Sequence, residues 1–283
     1  MPSISAIVPT RDRPQMAREA VEAILHQTLP PSELIIADDG DGAVGAELAR
    51  QYGIKQIHTA GRGPAEARNA AVKLSTGEWL AFCDDDDLWL PDRLARQAEY
   101  INDSNTVLIY ADARRDDGGS VLEGRKAATG QVFTQLLLDN WVPTSTVLLR
   151  RTAFEKSGGF KNRFCPAEDY RLWLRISRLG ALQKIDEPLA VYRIHAGQLQ
   201  TITAEMAGST ANVILDALAE AGWDAGQVSG LSRRLRQLRF VQGRALAAQQ
   251  KWSAARQAYL QAWQHQLTYT QAPLFWLLSF FGK

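Results

Sequence analysis

The chain has 283 residues, 46% of them hydrophobic and 22% charged, an ordinary globular composition with room for one large domain or one domain plus an appendage. Lys plus Arg (32) balances Asp plus Glu (31) for a net charge of +1, so the basic excess expected of a nucleic-acid-binding chain is missing. Cys83 and Cys165 form neither a metal-ligand spacing nor a disulfide framework, and two thiols in a chain of this length suit a reducing, cytoplasmic setting. "MPSISAIVPTRDRP" lacks a basic n-region followed by an apolar h-region, so no signal peptide is expected. No run reaches the roughly 18 apolar residues of a membrane span.

In chain order, "SISAIVP" (3–9) reads as a buried strand. Pro14 suits a helical first turn, after which Met16, Ala20, Val21, Ile24 and Leu25 fall on one face. "ELIIADDG" (33–40) is a second strand running into a turn, 42–52 is helical, and "IKQIHT" (54–59) is a third strand. Gly61, Gly63 and Pro64 open an alanine-rich helix over 65–74, which Gly77 helps to close. "EWLAFC" (78–83) is the fourth strand, Pro91 starts another helix, and "TVLIYAD" (106–112) is the fifth strand. Strand–helix alternation of this kind implies a parallel sheet with helices on both faces, and ligands then bind outside the carboxyl ends of the strands.

Further on, 131–140 reads as a helix, "TSTVLLR" (144–150) as a strand, and 160–180 as a loop entering a helix with an apolar stripe of Leu172, Trp173, Ile176 and Leu179. "ALQKIDEPLAVYRIH" (181–195) is extended. From about 203 the chain turns alanine-, glutamine- and arginine-rich with helical periodicity, which places a domain boundary near 200: residues 1–200, then a helical region over 201–283. Within it, "RALAAQQKWSAARQAYLQAW" (244–263) resembles a single tetratricopeptide-type helix pair. The final "APLFWLLSFFGK" is apolar but too short to span a bilayer, and is expected to lie in a membrane interface or against protein.

The chemistry concentrates at the strand ends. Four consecutive carboxylates, Asp84 to Asp87, repel one another and raise one another's pKa values. A hard divalent cation relieves that cost, and Mg²⁺ is commonly held by one or two carboxylates together with substrate phosphates. The competing interpretation is a solvated acidic turn capping the helix that starts near Pro91. Asp38-Asp39-Gly40 alone would be a glycine-assisted turn. Arg68, in the first turns of its helix, is either a surface arginine or a group that meets phosphate oxygens or a base edge. Glu168 and Asp169 begin a helix whose dipole favours ionised carboxylates, so they serve either as a cap or as a general base. His195 closes "YRIH" and, alone, reads as structural.

Taken together and in order, "SAIVPTRDRP", "LIIADDGD", "RGPAEARNAA", "GEWLAFCDDDDLWLPDRL", "AEDYRLWLRI" and "YRIH" resemble the family-2 glycosyltransferases over roughly residues 3–197. The resemblance implies a GT-A fold, the Rossmann-like α/β architecture of nucleotide-diphospho-sugar transferases, followed here by a C-terminal α-helical extension. It also implies inverting transfer of a sugar from a nucleoside diphosphate donor, typically a UDP-sugar, to a hydroxyl of a saccharide or lipid-linked acceptor. Bacterial surface polysaccharide or lipopolysaccharide synthesis is the pathway associated with the family. By the same resemblance Pro9, Thr10 and Arg11 border the nucleoside, Asp38 or Asp39 bonds the base, and Arg68 lies near base or diphosphate. Asp84 and Asp86 match the D-x-D positions, with Asp86 the first choice for a direct Mn²⁺ or Mg²⁺ ligand, Asp84 on ribose or a metal-bound water, and Asp85 beside the donor. Asp87 is a third metal candidate. Asp169 matches the base, with Glu168 its neighbour, and His195 approaches the metal or diphosphate.

Asp41 stands where the family usually has serine, which bears on the turn or a ribose contact. "QxxRW", the motif of processive synthases, is missing, so single addition is expected. The expected location is cytoplasmic, peripheral at the inner face of the membrane. Two other interpretations have less support. A sugar-1-phosphate nucleotidyltransferase needs a glycine-rich phosphate loop with a lysine, which "PTRDRPQ" does not supply. A degenerate transferase acting as a scaffold would not need every acidic position.

Overall fold

The computed structural model describes residues 3–121, 127–194 and 203–264. His195 and the apolar stretch of 272–283 therefore lie outside the described residues. The chain gathers into two compact units, one of Met1–Gln135, Asp139–Asn162 and Leu172–Ala196, the other of Leu136–Leu138, Arg163–Arg171 and Gly197–Lys283.

The first unit runs β1 (Ile4–Thr10), α1 (Pro14–Leu25), β2 (Glu33–Asp38), α2 (Ala43–Tyr52), β3 (Lys55–His58), α3 (Pro64–Leu74), β4 (Trp79–Phe82), β5 (Asp87–Trp89), α4 (Arg93–Ala98) and β6 (Thr106–Arg115). After the short α5 (Phe133–Leu136) come β7 (Leu148–Arg150), α6 (Arg151–Ser157), α7 (Glu168–Ile176), of which the part from Leu172 onward belongs to this unit, and β8 (Ala181–Tyr192). The strands form one sheet in the order β3-β2-β1-β4-β7-β6-β8-β5. Side chains alternate across a strand, and here both faces are apolar. Ile4, Ala6, Val8, Trp79 and Ala81 join Val21 and Ile24 of α1 and Leu48 of α2 in one core. On the alternate positions Phe82 packs edge-on to Phe160, whose ring in turn meets Trp173 of α7.

β1 to β4 are mutually parallel, as the alternation implies. β7, however, runs antiparallel to β4 and β6, and β5 antiparallel to β8, so the sheet is mixed. Antiparallel neighbours need no crossover helix, and among the described residues between β6 and β7 the chain forms α5 and a 3-10 turn at Thr144–Thr146. The helix read over 131–140 shrinks to Phe133–Leu136 because Asp139-Asn140 turn the chain, with Asn140 Oδ1 accepting from Val142 N. The strand read over 144–150 begins late because Thr146 N donates to Pro143 O and Thr146 Oγ1 to Ala111 O.

Three face assignments shift. α1 buries Ala17 with Ala20, Val21 and Ile24, while Leu25 is exposed and Met16 half-buried. Leu179 lies beyond the end of α7 and is exposed. Gly77 does not close α3, which ends at Leu74 with Ser75 as its cap. Its place against β1 is what demands glycine, since a Cβ there would lie 2.5 Å from Ser5 Oγ and 2.7 Å from Ser5 N.

The second unit contains α8 (Ala204–Ala221), α9 (Leu231–Ala248) and α10 (Trp252–Gln264). Thr203 caps α8 by accepting from Met206 N at 3.1 Å. Tyr259 of α10 packs against Phe240 of α9, with ring centroids 5.7 Å apart, and α9 and α10 are joined by a three-residue turn over 249–251.

Candidate active site

β1 pairs with β2 on one side and β4 on the other, and Thr10 is in register with Asp38, Ile7 with Phe82. The carboxyl ends of these strands therefore sit side by side at the point where strand order reverses, the usual crevice for ligands in open α/β sheets. The acidic stretch is the turn between β4 and β5, closed by Asp87 N donating to Asp84 O at 3.0 Å. It does not cap the following helix: α4 starts at Arg93, after Asp92, with no side-chain cap.

Each of the four aspartates meets different neighbours. Asp85 is buried, accepting from Thr10 Oγ1 at 2.6 Å and from Arg13 Nη1 at 3.0 Å. Burial pushes its carboxyl up, as do Asp86 and Asp84, against the pull of Thr10 and Arg13. Arg13 also reaches Asp86 at 2.7 Å, and Arg68 reaches Asp84 at 2.6 Å. Asp84 N donates to Ser145 Oγ at 3.0 Å, and Ser145 Oγ in turn donates to Asp87 Oδ2. Asp87 Oδ1 is buried with no hydrogen-bond partner. Burial first, then Asp84, drives the Asp87 carboxyl well above its usual range.

Asp84, Asp86 and Asp87 offer oxygens that all lie within 4.8 Å of one another. An all-carboxylate set with one orphaned buried oxygen suits a hard divalent cation such as Mg²⁺ or Mn²⁺. Asp85 is turned to Thr10 and Arg13 and stands outside the group.

The backbone of this turn is held from the far end of the sheet. Arg193, just past β8, donates to Asp86 O at 2.6 Å and Asp85 O at 2.9 Å, and to Met16 O and the Glu19 carboxylate of α1. β5 is anchored below by Arg93, stacked 3.7 Å from the Trp89 ring centroid and donating to Val147 O; burial lowers its guanidinium to about 9.

The other strand-end carboxylates order loops. Asp38 accepts from Gly40 N and Gly45 N, both at 2.8 Å. Asp39 accepts from Thr59 Oγ1 at 2.7 Å and Gly63 N at 2.9 Å, fixing the 59–63 loop that leads into α3 and Arg68. Gly40 allows the Asp12 side chain close, since a Cβ there would lie 2.5 Å from Asp12 Oδ1. Asp41 accepts from Ala43 N at 2.9 Å at the entry to α2. Pro9 is buried in β1, while the Arg11 side chain is exposed beside Asp12. In the second unit's 163–171 segment, Glu168 is buried, and Asp169 is half-buried with Oδ1 accepting from Tyr170 N at 2.6 Å in the first turn of α7.

Arg13, Thr59, Ser145 and Arg193 are the residues that sequence reasoning left unassigned. Arg13 and Arg193 stand inside "PTRDRP" and "YRIH", but their partners lie 72 and 107 positions away, beyond any local pattern.

The mixed α/β sheet matches the fold of solved GT-A glycosyltransferase structures. Staphylococcus aureus TarS aligns with a TM-score of 0.72 at 15% identity over 99% of this chain and 53% of that one. A TarS structure in complex with UDP-GlcNAc aligns at 0.66, with 16% identity, over 98% and 79%. The mannosyltransferase PcManGT of Pyrobaculum calidifontis, in complex with GDP-Man and Mn²⁺, aligns at 0.60, with 17% identity, over 99% and 85%.

The chain belongs to glycosyl transferase family 2, whose family model matches residues 5–158. Among curated relatives, an uncharacterized glycosyltransferase of Rickettsia conorii is 30% identical over 69% of this chain and 33% of its own length. The Escherichia coli UDP-Glc:alpha-D-GlcNAc-diphosphoundecaprenol beta-1,3-glucosyltransferase WfgD is 27% identical over 65% of this chain and 73% of its own. The chain spans about a third of the length of the Rickettsia relatives it matches first. Among the described residues no helix is long and apolar enough to cross a membrane.

Proposed function

We propose that this chain is a metal-dependent inverting glycosyltransferase that moves a sugar from a UDP-sugar to a hydroxyl of a saccharide or lipid-linked acceptor, in bacterial surface polysaccharide synthesis. The observation that carries the reading is the Asp84–Asp86–Asp87 group at the strand ends, flanked by Arg13 and Arg68. The UDP-GlcNAc complex of a structural neighbour and the UDP-glucose donor in WfgD's name favour a uridine nucleotide.

In this reading Asp39 and the loop it orders, with Thr10 and Pro9, receive the nucleoside, and Arg68 faces the diphosphate. Asp84, Asp86 and Asp87 hold Mn²⁺ or Mg²⁺, with His195 a further candidate. The ion supplies Lewis-acid stabilisation of the diphosphate leaving group. Asp169, at a helix N-terminus beside Glu168, takes the acceptor hydroxyl proton. The acceptor oxygen then bonds the anomeric carbon as the carbon–diphosphate bond breaks. A single displacement with one base inverts that carbon. The protein works at the inner membrane face, with 272–283 as the surface contact.

The test is a thermal-shift screen of nucleotide sugars with and without Mn²⁺, since a ligand that binds only the folded state raises apparent stability. UDP-sugars should shift the melt in a Mn²⁺-dependent way, and Asp86→Asn should remove that dependence. Asp169→Asn should keep donor binding and lose turnover. An Asp86→Asn protein with unchanged Mn²⁺-dependent binding in calorimetry would overturn the metal assignment.

A further inference from the structure

We infer that Asp216 and Glu220, on one face of α8, are positioning residues for the general base, and that the helical unit serves to hold the first turns of α7 in their working orientation. The inference rests on the assignment of Asp169 as base.

The segment Arg163–Arg171 that carries Glu168 and Asp169 belongs to the same compact unit as α8. Its contacts within that unit are ionic and specific. Arg171, two residues after Asp169, is 4% exposed, and its Nε donates to Asp216 Oδ2 at 3.0 Å and its Nη2 to Glu220 Oε1 at 3.3 Å. Arg163, at the other end of the segment, donates to Asp216 Oδ1 at 3.0 Å. One carboxylate thus grips both ends of a nine-residue stretch, a use that fits the planar, multi-donor guanidinium. Both guanidiniums also stack on Phe164, at 4.7 and 5.0 Å from its centroid. About two turns back along α8, Ser209 Oγ donates to Cys165 O at 2.9 Å.

A buried arginine is costly unless paired, so removing Asp216 leaves Arg171 seeking a new partner and frees the segment at both ends. Misplacing a catalytic group by about 1 Å costs on the order of a hundredfold in rate without altering substrate affinity. α8 thereby becomes part of the catalytic apparatus although none of its residues touches substrate in this reading.

The experiment compares full-length wild type, Asp216→Asn, Asp216→Glu and Glu220→Gln. The probes are UDP-glucose and UDP-GlcNAc with Mn²⁺, read as UDP release, and UDP binding by calorimetry. Amide hydrogen exchange over 163–171 is measured alongside. Asp216→Asn should lower kcat by roughly ten- to a hundredfold with donor KM and UDP affinity unchanged, speed exchange over 163–171 but not in β1–β4, and be rescued by Asp216→Glu. Glu220→Gln, which takes the charge from the longer of the two ion pairs of Arg171, should give a smaller effect of the same kind and stands in if Asp216→Asn does not fold. Wild-type kcat and wild-type exchange in both variants would overturn the inference. So would a fall in UDP affinity that matches the fall in kcat, which marks general damage. If wild type releases no UDP from either donor, the exchange measurement alone decides whether α8 holds the segment, wild-type exchange in both variants overturning the inference, while the functional reading is judged separately by the Mn²⁺-dependent thermal shift with UDP-sugars.

Discussion

Asp87→Asn tests the idea that the acidic turn is strained by its own charge. Asp87 is buried, its Oδ1 has no partner, and oxygens of Asp84 and Asp86 lie within 4.8 Å. Two full charges at that separation repel by about 3.5 kcal/mol at an effective dielectric of about 20. Arg13 at 2.7 Å from Asp86 and Arg68 at 2.6 Å from Asp84 offset most of this. About 1–2 kcal/mol is left for the substitution to relieve, while the amide oxygen keeps the bond from Ser145. Melting followed by circular dichroism in EDTA at about pH 7.5 should therefore place the variant roughly 2–6 °C above wild type.

The sign of the pH dependence follows from the raised carboxyl. The folded state keeps this proton to higher pH than the unfolded chain, so the wild-type penalty is absent below the unfolded value near pH 4 and grows as pH rises through the folded one. The gap between the two proteins should close on acidification, and added Mn²⁺ should stabilise wild type more than the variant. A variant that melts below wild type in EDTA at neutral pH, or a gap that is as large at about pH 4 as at about pH 7.5, would refute the reasoning.

Three further outcomes are expected. Burial pushes the Glu33 carboxyl up, but bonds from Lys55, Ser5 and Thr76 outweigh it and hold it at about 2. Glu33→Gln should cost about 1–2 kcal/mol in urea unfolding at neutral pH, with wild type losing that advantage as pH falls from the unfolded value of about 4.3 toward 2. Gly77→Ala drives a Cβ to 2.7 Å from the backbone nitrogen of Ser5 and should cost about 2 kcal/mol or more in the same assay. Thr59→Val removes the 2.7 Å bond to Asp39 while nearly keeping side-chain volume, and UDP affinity by calorimetry should weaken about three- to tenfold.

Much of the architecture was legible because it is written in local periodicity. The apolar runs that become β1, β2 and β4, and the Pro14 and Pro64 helix starts, survive almost residue for residue. The three-residue β5 was not legible, since Asp87–Trp89 has no alternation of its own and pairs with β8 a hundred positions away. β7 was legible but reads as beginning too early, because the 3-10 turn of Thr144–Thr146 takes the first half of the run over 144–150, and the short α6 that follows it directly was not legible at all. Within the site, the acidic positions stood out by composition. What each aspartate faces did not, because Thr10, Arg13, Arg68 and Ser145 reach them from four different elements. The ion pairs of Asp216 join residues 45 and 53 positions apart, and nothing in "ANVILDALAE" signals them.

The guanidinium of Arg193 has a consequence for the order of assembly. It ties α1 to the acidic turn through bonds that span 174 and 107 positions of sequence, and such long-range closures are entropically expensive and come late in folding. As the chain emerges during synthesis, β1 to β4 can pair early, yet the turn carrying Asp84–Asp87 lacks its clasp until residue 193 has been made. The carboxylates are thus brought into register by a residue that follows the last strand of the sheet in chain order, and a chain shortened before that arginine would keep the acidic residues while losing the backbone restraint that aims them.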